Sequence, residues 1–283
     1  MNTAFLTVYW RDMIRFRRFK PMLFSTLVQP ILWMAFFGIG MSSNFDRFSQ
    51  FVKLPPGIES VDYLTFMAAG VIAMTTLFTS LFGGISLLFD KRWGIMKEML
   101  ASPMPRTHIL WGISLSGVTK ALIQAALIMS FGLLIGVKFF SGYSAVEVLI
   151  SLLGIAIFVT VFSLGFLFLS AGITMRLESM EGVQGIMTLL TMPLFFSSSA
   201  LYPVEGFPSW LRAISVVNPL TYLVKGIRYF AIGEDFFAMG THYTYSIYDV
   251  LLSLGFLTIF ALLTYLFAWV TFRRACPGEG FGD

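Results

Sequence analysis

Charged residues are grouped along this chain, and the stretches between them are long and apolar. Five stretches carry no charge, bounded by Lys20–Asp46, Asp62–Asp90, Glu147–Arg176, Glu181–Glu205 and Asp249–Arg273. Each exceeds the roughly 20 apolar residues that cross a bilayer as a helix. A sixth, between Arg106 and Lys138, holds one charge, Lys120. The pattern predicts an all-α integral membrane protein with six transmembrane helices, near 22–42, 63–88, 108–137, 148–175, 183–203 and 250–272.

Composition agrees with this pattern, and charge placement adds an orientation. Only 12% of the 283 residues are charged, against about 25% in soluble domains. With both termini inside, twelve of the 19 Lys and Arg residues fall in inner segments and six in outer ones. Because Lys and Arg accumulate in cytoplasmic loops, we expect a multi-pass protein of the cell (plasma) membrane with cytoplasmic termini. The net charge of +4 then reflects orientation, and no nucleic acid is expected as a partner.

Residues 3–20 form an amphipathic pattern ahead of the first apolar run. Arg11, Arg15 and Arg18 share one helical face, while another face gathers Phe5, Val8, Tyr9, Phe16 and Phe19. Such a helix suits the membrane surface, with its rings in the headgroup layer and its arginines near anionic lipid. A basic flank that only sets orientation is the alternative. We predict an N-terminal interfacial helix over 1–20, a transmembrane domain over 21–275 and a disordered tail over 276–283.

The segment 90–106, DKRWGIMKEMLASPMPR, is a charged interval between two apolar runs. On a helical wheel its apolar side holds Trp93, Ile95, Met96, Met99 and Leu100. The opposite side holds Asp90, Lys91, Lys97 and Glu98. Prolines at 103 and 105 end the helix. A short amphipathic helix is predicted across the cytoplasmic ends of the second and third spans. It is either a plain interfacial loop helix or a lever that a soluble partner grips.

Residues 204–249 form the largest segment that does not span, and they contain short helical patterns. Asn218 suits an N-cap and Pro219 the first helical position. Leu220, Leu223, Val224 and Ile227 then share one face, and Thr221, Lys225 and Arg228 share another, before Gly233 ends the helix. We expect interfacial or re-entrant outer helices before the last span. They are either ordinary loop helices or a lid over a pathway.

The predicted fifth span is the most polar of the six. Its hydrogen-bonding side chains are candidates for lining a pathway, namely Gln184, Thr188, Thr191, Ser197 and Ser198, with Ser199 beside them. Plain helix packing is the alternative. Lys120 in the third span is expected to snorkel toward the inner surface, although charges inside a membrane are otherwise candidates for function.

The sequence lacks the residues that several kinds of site require. There is one cysteine and there are two distant histidines, so no disulfide or metal site is expected. The sequence has no Gly-Lys pair, and hence no Walker A loop for nucleotide phosphates. Motifs of intramembrane or serine hydrolases are also missing. We therefore expect no catalytic residue and no cofactor in this chain. An ion-coupled secondary transporter is disfavoured, because it normally needs carboxylates or histidines inside its spans.

Three features resemble the membrane subunit of an ABC transporter of the ABC-2 type. KEMLASPMPR resembles the family's segment after the second span, in which Glu98, Leu100, Pro103 and Arg106 stand in the family's order. NPLTYLVKGIRYFAIG at 218–233 is similar to the family's signature before the last span, which is Asn-Pro, an apolar residue, any residue and Tyr. It resembles the drug-export (daunorubicin-resistance-like) branch most. The third feature is the plan itself, an N-terminal helix followed by six spans with an inner helix after the second.

The resemblance implies a function and its parts. The inner helix would be the coupling helix that docks on a separate ATPase, through Arg92, Trp93, Met96, Lys97, Glu98, Leu100, Pro103 and Arg106. The outer helix motif would comprise Asn218, Pro219, Tyr222, Lys225 and Arg228. ATP and Mg²⁺ would be bound by the ATPase. A second permease copy would complete the pathway, as a homodimer or as a heterodimer. The expected function is export of a hydrophobic or amphipathic substrate, drug-like or lipid. Export of a lipid-linked glycan or polysaccharide is the alternative, and ion-coupled secondary transport is a weaker one.

Overall fold

The fold is a bundle of long helices with short helices at both ends. A computed structural model describes residues 4–18, 20–44, 60–102 and 104–275. Most of the segment 43–62 between the first two predicted spans, Phe19, Pro103 and the predicted tail lie outside these ranges. The helices are α1 (Ala4–Arg18), α2 (Lys20–Leu32, continued by a π-helical segment Trp33–Ile39), α3 (Tyr63–Gly83), α4 (Ile85–Arg92), α5 (Ile95–Ala101), α6 (Arg106–Leu134), α7 (Ala145–Arg176), α8 (Met180–Phe196), α9 (Ser209–Val217), α10 (Pro219–Ala231) and α11 (Ile247–Ala275).

Five helical stretches of the described residues are long and apolar enough to cross a membrane. They are Thr26–Asn44, Tyr63–Arg92, Arg106–Leu134, Ala145–Arg176 and Ile247–Arg274. The predicted fifth span corresponds to the shorter apolar helix α8. A multi-pass helical membrane protein is therefore supported, and the six-span layout stays a prediction.

Helix α8 ends at Phe196 and not near 203, because side chains donate hydrogen bonds to its last carbonyl oxygens. The Ser198 hydroxyl donates to the Phe195 carbonyl oxygen at 2.7 Å, and Asn218 Nδ2 donates to the Leu194 carbonyl oxygen at 2.6 Å. Serine side chains compete with the backbone in this way and favour helix ends. The chain then turns through 197–202.

Helix α3 forms the centre of the bundle and is buried around most of its circumference. Asp62 caps its first turn by accepting hydrogen bonds from the Thr65 backbone N–H and hydroxyl. The helix contacts α6, α7 and α10. Between α3 and α4 lies Gly84, whose N–H donates to Ser170 Oγ of α7 at 3.2 Å. A Cβ at this glycine would stand 2.7 Å from the Ser170 backbone carbon, so glycine is needed for the close approach.

Helices α7 and α11 pack along each other on one side of α3 and carry much of the exposed apolar surface. Their contact includes the Phe166 and Phe260 rings, with centroids 4.9 Å apart. Their outward residues are large aliphatic side chains, for example Leu149, Leu153, Leu252 and Leu263, each more than half exposed. Such faces suit a lipid environment, where apolar exposure carries no cost.

A β-hairpin between α10 and α11 departs from the all-α expectation. Strands β1 (Asp235–Ala238) and β2 (Thr241–Thr244) pair antiparallel. Met239 and Gly240 connect them with φ of 51° and 80°, as a two-residue type I′ turn requires. The Phe236 and Tyr243 rings stack at 5.2 Å. Four-residue strands give too short an alternation to stand out in the sequence, and their stability comes from packing on α3 and α10.

Candidate coupling and outer sites

The segment 90–102 is not one continuous helix. Gly94 adopts a left-handed conformation with φ of 80° and separates α4 from α5. This changes the direction of the chain and so the faces predicted from one helical wheel. Trp93 is 66% exposed instead of lying on the apolar side, while Asp90 is fully buried instead of exposed. A short helix between the second and third spans is nevertheless present, as predicted.

The proposed coupling residues separate into an exposed set and a packed set. Met96 is buried in a cluster with Val8 and Leu110, whereas Leu100 and Arg106 are half-buried. The exposed residues are Arg92, Trp93, Lys97 and Glu98. Helix α5 thus packs on the bundle through Met96 and exposes the charged residues Lys97 and Glu98, and Trp93 is exposed just before it.

Asp90 joins this segment to the N-terminal helix. Its carboxylate forms an ion pair with Arg11, and a second with Arg15 in which Arg15 Nη1 lies 3.2 Å from Asp90 Oδ1. Arg11 Nη1 also lies 3.4 Å from the sulfur of Met99 in α5. The interaction was not identified from the sequence, where these arginines were expected near lipid. The sequence did offer a hint. Arg11 and Arg15 are four residues apart and so lie on one face of α1, and Asp90 is the only acidic residue of α4.

A further ion pair connects α1 to α6. Lys120 pairs with Asp12, and the Ser116 hydroxyl donates to the same carboxylate. Lys120 therefore does not simply snorkel into the headgroups. Burial raises the pKa of Asp12, but Lys120, Ser116 and Arg15 together lower it more, so this carboxyl titrates below its usual range.

The apolar positions of α1 face two ways. Val8 and Phe16, expected in the headgroup layer, are buried with Asp12 against the bundle. Leu6, Trp10 and Ile14 are exposed, each 40% or more. These three recur every fourth residue and form one stripe. A helix at the membrane surface thus remains consistent with the fold, with a different stripe toward lipid.

Helix α10, which is the predicted outer helix, begins as the sequence predicts. Asn218 Oδ1 accepts from the Leu220 N–H at 2.9 Å, and Pro219 is the first helical residue. The Asn218 amide also donates to Ser197 Oγ at 3.0 Å, which ties the helix start to the end of α8. Tyr222 stacks on Phe256 of α11 at 4.2 Å, and Lys225 Nζ lies 5.8 Å from the Tyr245 ring centroid.

Arg228, which the sequence places on one face of α10 with Thr221 and Lys225, is fully buried. Its Nη2 donates to the carbonyl oxygens of Ser199 at 2.8 Å and Ala200 at 3.2 Å. The guanidinium lies 3.5 Å from the Phe66 ring centroid. Burial lowers the pKa of Arg228, and the nearby phenols of Tyr245 and Tyr243 act in the opposite direction. This side chain connects α10 to α3 and to the turn after α8.

The candidate lining residues of α8 do not share one environment. Gln184 and Thr188 lie on its exposed side. Thr191 is buried and its hydroxyl donates to the Met187 carbonyl oxygen at 2.6 Å. Ser197, Ser198 and Ser199 are buried in the turn. Within the described ranges, no group of His, Cys, Asp or Glu is arranged to hold a metal ion.

Several known proteins are similar in sequence to this chain over most of its length. A putative transport permease, ycf38, of Cyanophora paradoxa is 29% identical over 90% of this chain and 84% of its own. A daunorubicin resistance ABC transporter permease protein, DrrB1, of Streptomyces coeruleorubidus is 24% identical over 80% of this chain and 74% of its own. The inner membrane transport permease YadH of Escherichia coli K12 is 22% identical over 91% of each chain.

The family model described as ABC-2 type transporter matches residues 3–231, which run from the N-terminal helix through α10. That range holds both motifs on which the resemblance rests, the segment around α5 and the Asn-Pro start of α10. The chain therefore belongs to the ABC-2 type transporter family.

Proposed function

We propose that this chain is the membrane permease subunit of an ABC exporter, driven by a separate ATPase that docks on α5 and the residues beside it. The observation that carries the proposal is a set of exposed side chains at this end, namely Lys97 and Glu98 on α5 with Arg92 and Trp93 just before it, next to the buried Met96. A Trp ring among charges of both signs is typical of a protein contact.

Ion pairs near α5 would transmit its movement to the membrane helices. Asp90, near the end of α4, is held by Arg11 and Arg15 of α1. Asp12 of α1 is held by Lys120 of α6. Helices α1, α4 and α6 are therefore connected by buried charge at the end that bears α5. A force applied to α5 would move these helices together, because buried ion pairs are costly to break.

A second permease copy would complete the pathway. Gln184 and Thr188 expose polar groups on α8, beside the exposed Leu189 and Met192. Polar groups facing hydrocarbon are unfavourable, so a second copy or a hydrated pathway accounts for this face better than lipid does. We infer a homodimer, with a heterodimer as the alternative, and a substrate that is hydrophobic or amphipathic.

The docking proposal is tested by co-purification with the ATPase from solubilised membranes. Glu98→Lys should reduce the amount of bound ATPase about tenfold or more, since like charges placed across an interface cost several kcal/mol. Glu178→Lys is the matched control, because Glu178 is also exposed at this end and belongs to the loop between α7 and α8. Equal binding by the wild type and Glu98→Lys would refute docking on α5.

The dimer proposal has its own test. In a Cys276→Ser background, a cysteine at Thr188 should give a cross-linked dimer with a short bis-maleimide. A cysteine at Thr258, exposed on α11, should not. Cross-linking at 258 alone would place the second copy on another face.

The buried Asp12–Lys120 pair does not argue for ion-coupled transport. Asp12 lies in α1, outside the candidate spans, and its pKa is lowered, so it stays charged at neutral pH and is a poor proton carrier. Transport assays in vesicles with a drug-like cation, a phospholipid and a lipid-linked glycan would separate the substrate classes. Uptake that needs an ion gradient and no ATP would refute the exporter.

A further inference from the structure

The second candidate span is interrupted between α3 and α4. The stretch Tyr63–Arg92 is long and apolar enough to cross a membrane, yet α3 ends at Gly83 and α4 begins at Ile85. Gly84 between them lies in a turn, and its carbonyl oxygen accepts from the Leu87 N–H at 3.0 Å. Because the interruption is buried inside a span, its backbone groups need hydrogen-bond partners other than water.

A side chain of α7 provides two of these hydrogen bonds. The Gly84 N–H donates to Ser170 Oγ at 3.2 Å, and the same hydroxyl donates to the Leu81 carbonyl oxygen. In a continuous helix that carbonyl would accept from the N–H of Ile85, four residues further on. Insertion of a side chain into the helical ladder is a usual cause of a sharp bend. The Ser170 hydroxyl therefore stabilises the interrupted form of the span, whereas a continuous helix would satisfy both backbone groups by itself.

The helices on the two sides of the interruption are held by different parts of the protein. Helix α3 is buried around most of its circumference, against α6, α7 and α10. Asp90 of α4 instead pairs with Arg11 and Arg15 of α1. Lys91 Nζ lies 3.4 Å from the Leu177 carbonyl oxygen. Arginine and lysine side chains have many rotamers, so these contacts can persist while the axis of α4 shifts.

We propose that Gly83 and Gly84 form a hinge in the second span, and that Ser170 is a positioning residue that sets its angle. When the ATPase moves α5, α4 tilts about this hinge while α3 stays in the bundle. Glycine permits wider backbone changes than other residues, which suits two adjacent glycines to this role. The hinge rests on the proposed function, because it states how movement of α5 reaches the spanning helices.

The hinge is tested first in the full-length permease without its ATPase, in a Cys276→Ser background, by distance measurements between spin labels. Labels at Arg92 of α4 and Val146 of α7, both exposed, report across the hinge. Gly83→Ala favours a continuous helix. It is combined with Leu167→Val, because the new methyl group would otherwise stand 2.5 Å from Leu167 Cδ2. Compared with Leu167→Val alone, this double variant should shift and narrow the distance distribution.

Ser170→Ala tests the positioning role separately. It should also shift and narrow the distribution across the hinge, because the backbone groups of Leu81 and Gly84 then find partners only in a continuous helix. Labels at Val146 and Arg176, both on α7 and exposed, form the control pair, whose distribution should be the same in every variant.

The second measurement is transport by the complex with the ATPase. The Gly83→Ala double variant should transport about fivefold more slowly than Leu167→Val. This factor corresponds to the roughly 1 kcal/mol by which alanine favours a helix over glycine. The amount of bound ATPase and the melting temperature should not fall, since neither the docking residues nor the packing of α3 changes.

Two results would overturn the hinge. One is an unchanged distance distribution between Arg92 and Val146 in both the Gly83→Ala double variant and Ser170→Ala. The other is slower transport that is matched by an equal loss of bound ATPase or by a lower melting temperature, since a structural defect would then explain it. If the wild type binds no ATPase, the proposed function is wrong, and the distance measurements on the permease alone still decide whether the hinge exists.

Discussion

The ion pairs of Asp90 can be removed by replacing either Asp90 or its two arginines, and we expect the two changes to lower the free energy of unfolding by different amounts. The Asp90 side chain is fully buried, whereas those of Arg11 and Arg15 are 34% and 38% exposed. Asp90→Asn leaves two guanidinium groups that already reach solvent. Replacing both arginines with glutamine instead leaves a buried carboxylate without its two counter-charges.

The magnitudes follow from this difference in exposure. Removing the partner of a buried charge costs about 3–5 kcal/mol of unfolding free energy, which we expect for Arg11→Gln with Arg15→Gln. Losing two half-exposed ion pairs costs about 1–2 kcal/mol in total, which we expect for Asp90→Asn. The triple variant should resemble Asp90→Asn, because the carboxylate that suffers from the loss of its partners is then absent. This amounts to a rescue of roughly 2–3 kcal/mol in a mutant cycle.

The assay is thermal unfolding of the purified protein in detergent, followed by circular dichroism. A change of 1 kcal/mol shifts the midpoint by about 2–4 °C in chains of 150–250 residues. The arginine double variant should therefore melt roughly 6–20 °C below the wild type, and Asp90→Asn about 2–8 °C below it. Arg17→Gln with Arg18→Gln is the control, since both residues are exposed on the same helix. The reasoning would be refuted if Asp90→Asn and the arginine double variant lost equal stability, or if the triple variant melted below the arginine double variant.

Three further outcomes are expected. Gly84→Ala should destabilise the protein by about 1–3 kcal/mol, because the new methyl group meets the backbone of Ser170. Gly185→Ala, where nothing lies within 4 Å, should be neutral or stabilise by up to about 1 kcal/mol, and thermal melting compares the two. Asp12 has a lowered pKa in the folded state, so its contribution to stability is present above the unfolded value of about 3.9. The melting difference between the wild type and Asp12→Asn should therefore be constant at neutral pH and vanish as the pH falls through the folded pKa; a difference that persists there contradicts this. Asn218→Ala removes the cap and the bond to the end of α8, so it should cost about 1–2 kcal/mol and reduce transport more than expression. Equal reductions of both would indicate a purely structural cap.

Much of the architecture follows from local patterns in the sequence. Long charge-free runs predict spanning helices because length and apolarity are local properties. The N-cap of α10 and the short helix after the second span were also predictable, since capping and helical periodicity involve residues within one or two turns. The motifs around Glu98 and Asn218 indicated the family for the same reason, as they are contiguous in the chain.

The electrostatic connections between helices could not be predicted in this way. Arg11 and Asp90 are 79 positions apart, and Asp12 and Lys120 are 108 apart. A helical wheel assigns each of these charges to a solvated or lipid-facing side, because it contains no information about a partner on another helix. The wheel for 90–102 failed further because Gly94 changes the direction of the chain inside it.

The sequence by itself determined the membrane environment, the approximate positions of five helices long and apolar enough to span, and the family. The first two depend on the transfer of local segments between water and lipid, and the family is indicated by motifs that are contiguous in the chain. Only the tertiary structure decided where the charges lie. The buried Arg228, for example, donates from Nη2 to backbone carbonyl oxygens of segments far away in the sequence, and such contacts offset part of the cost of burying a charge. Such an environment forms only when helices far apart in sequence pack together.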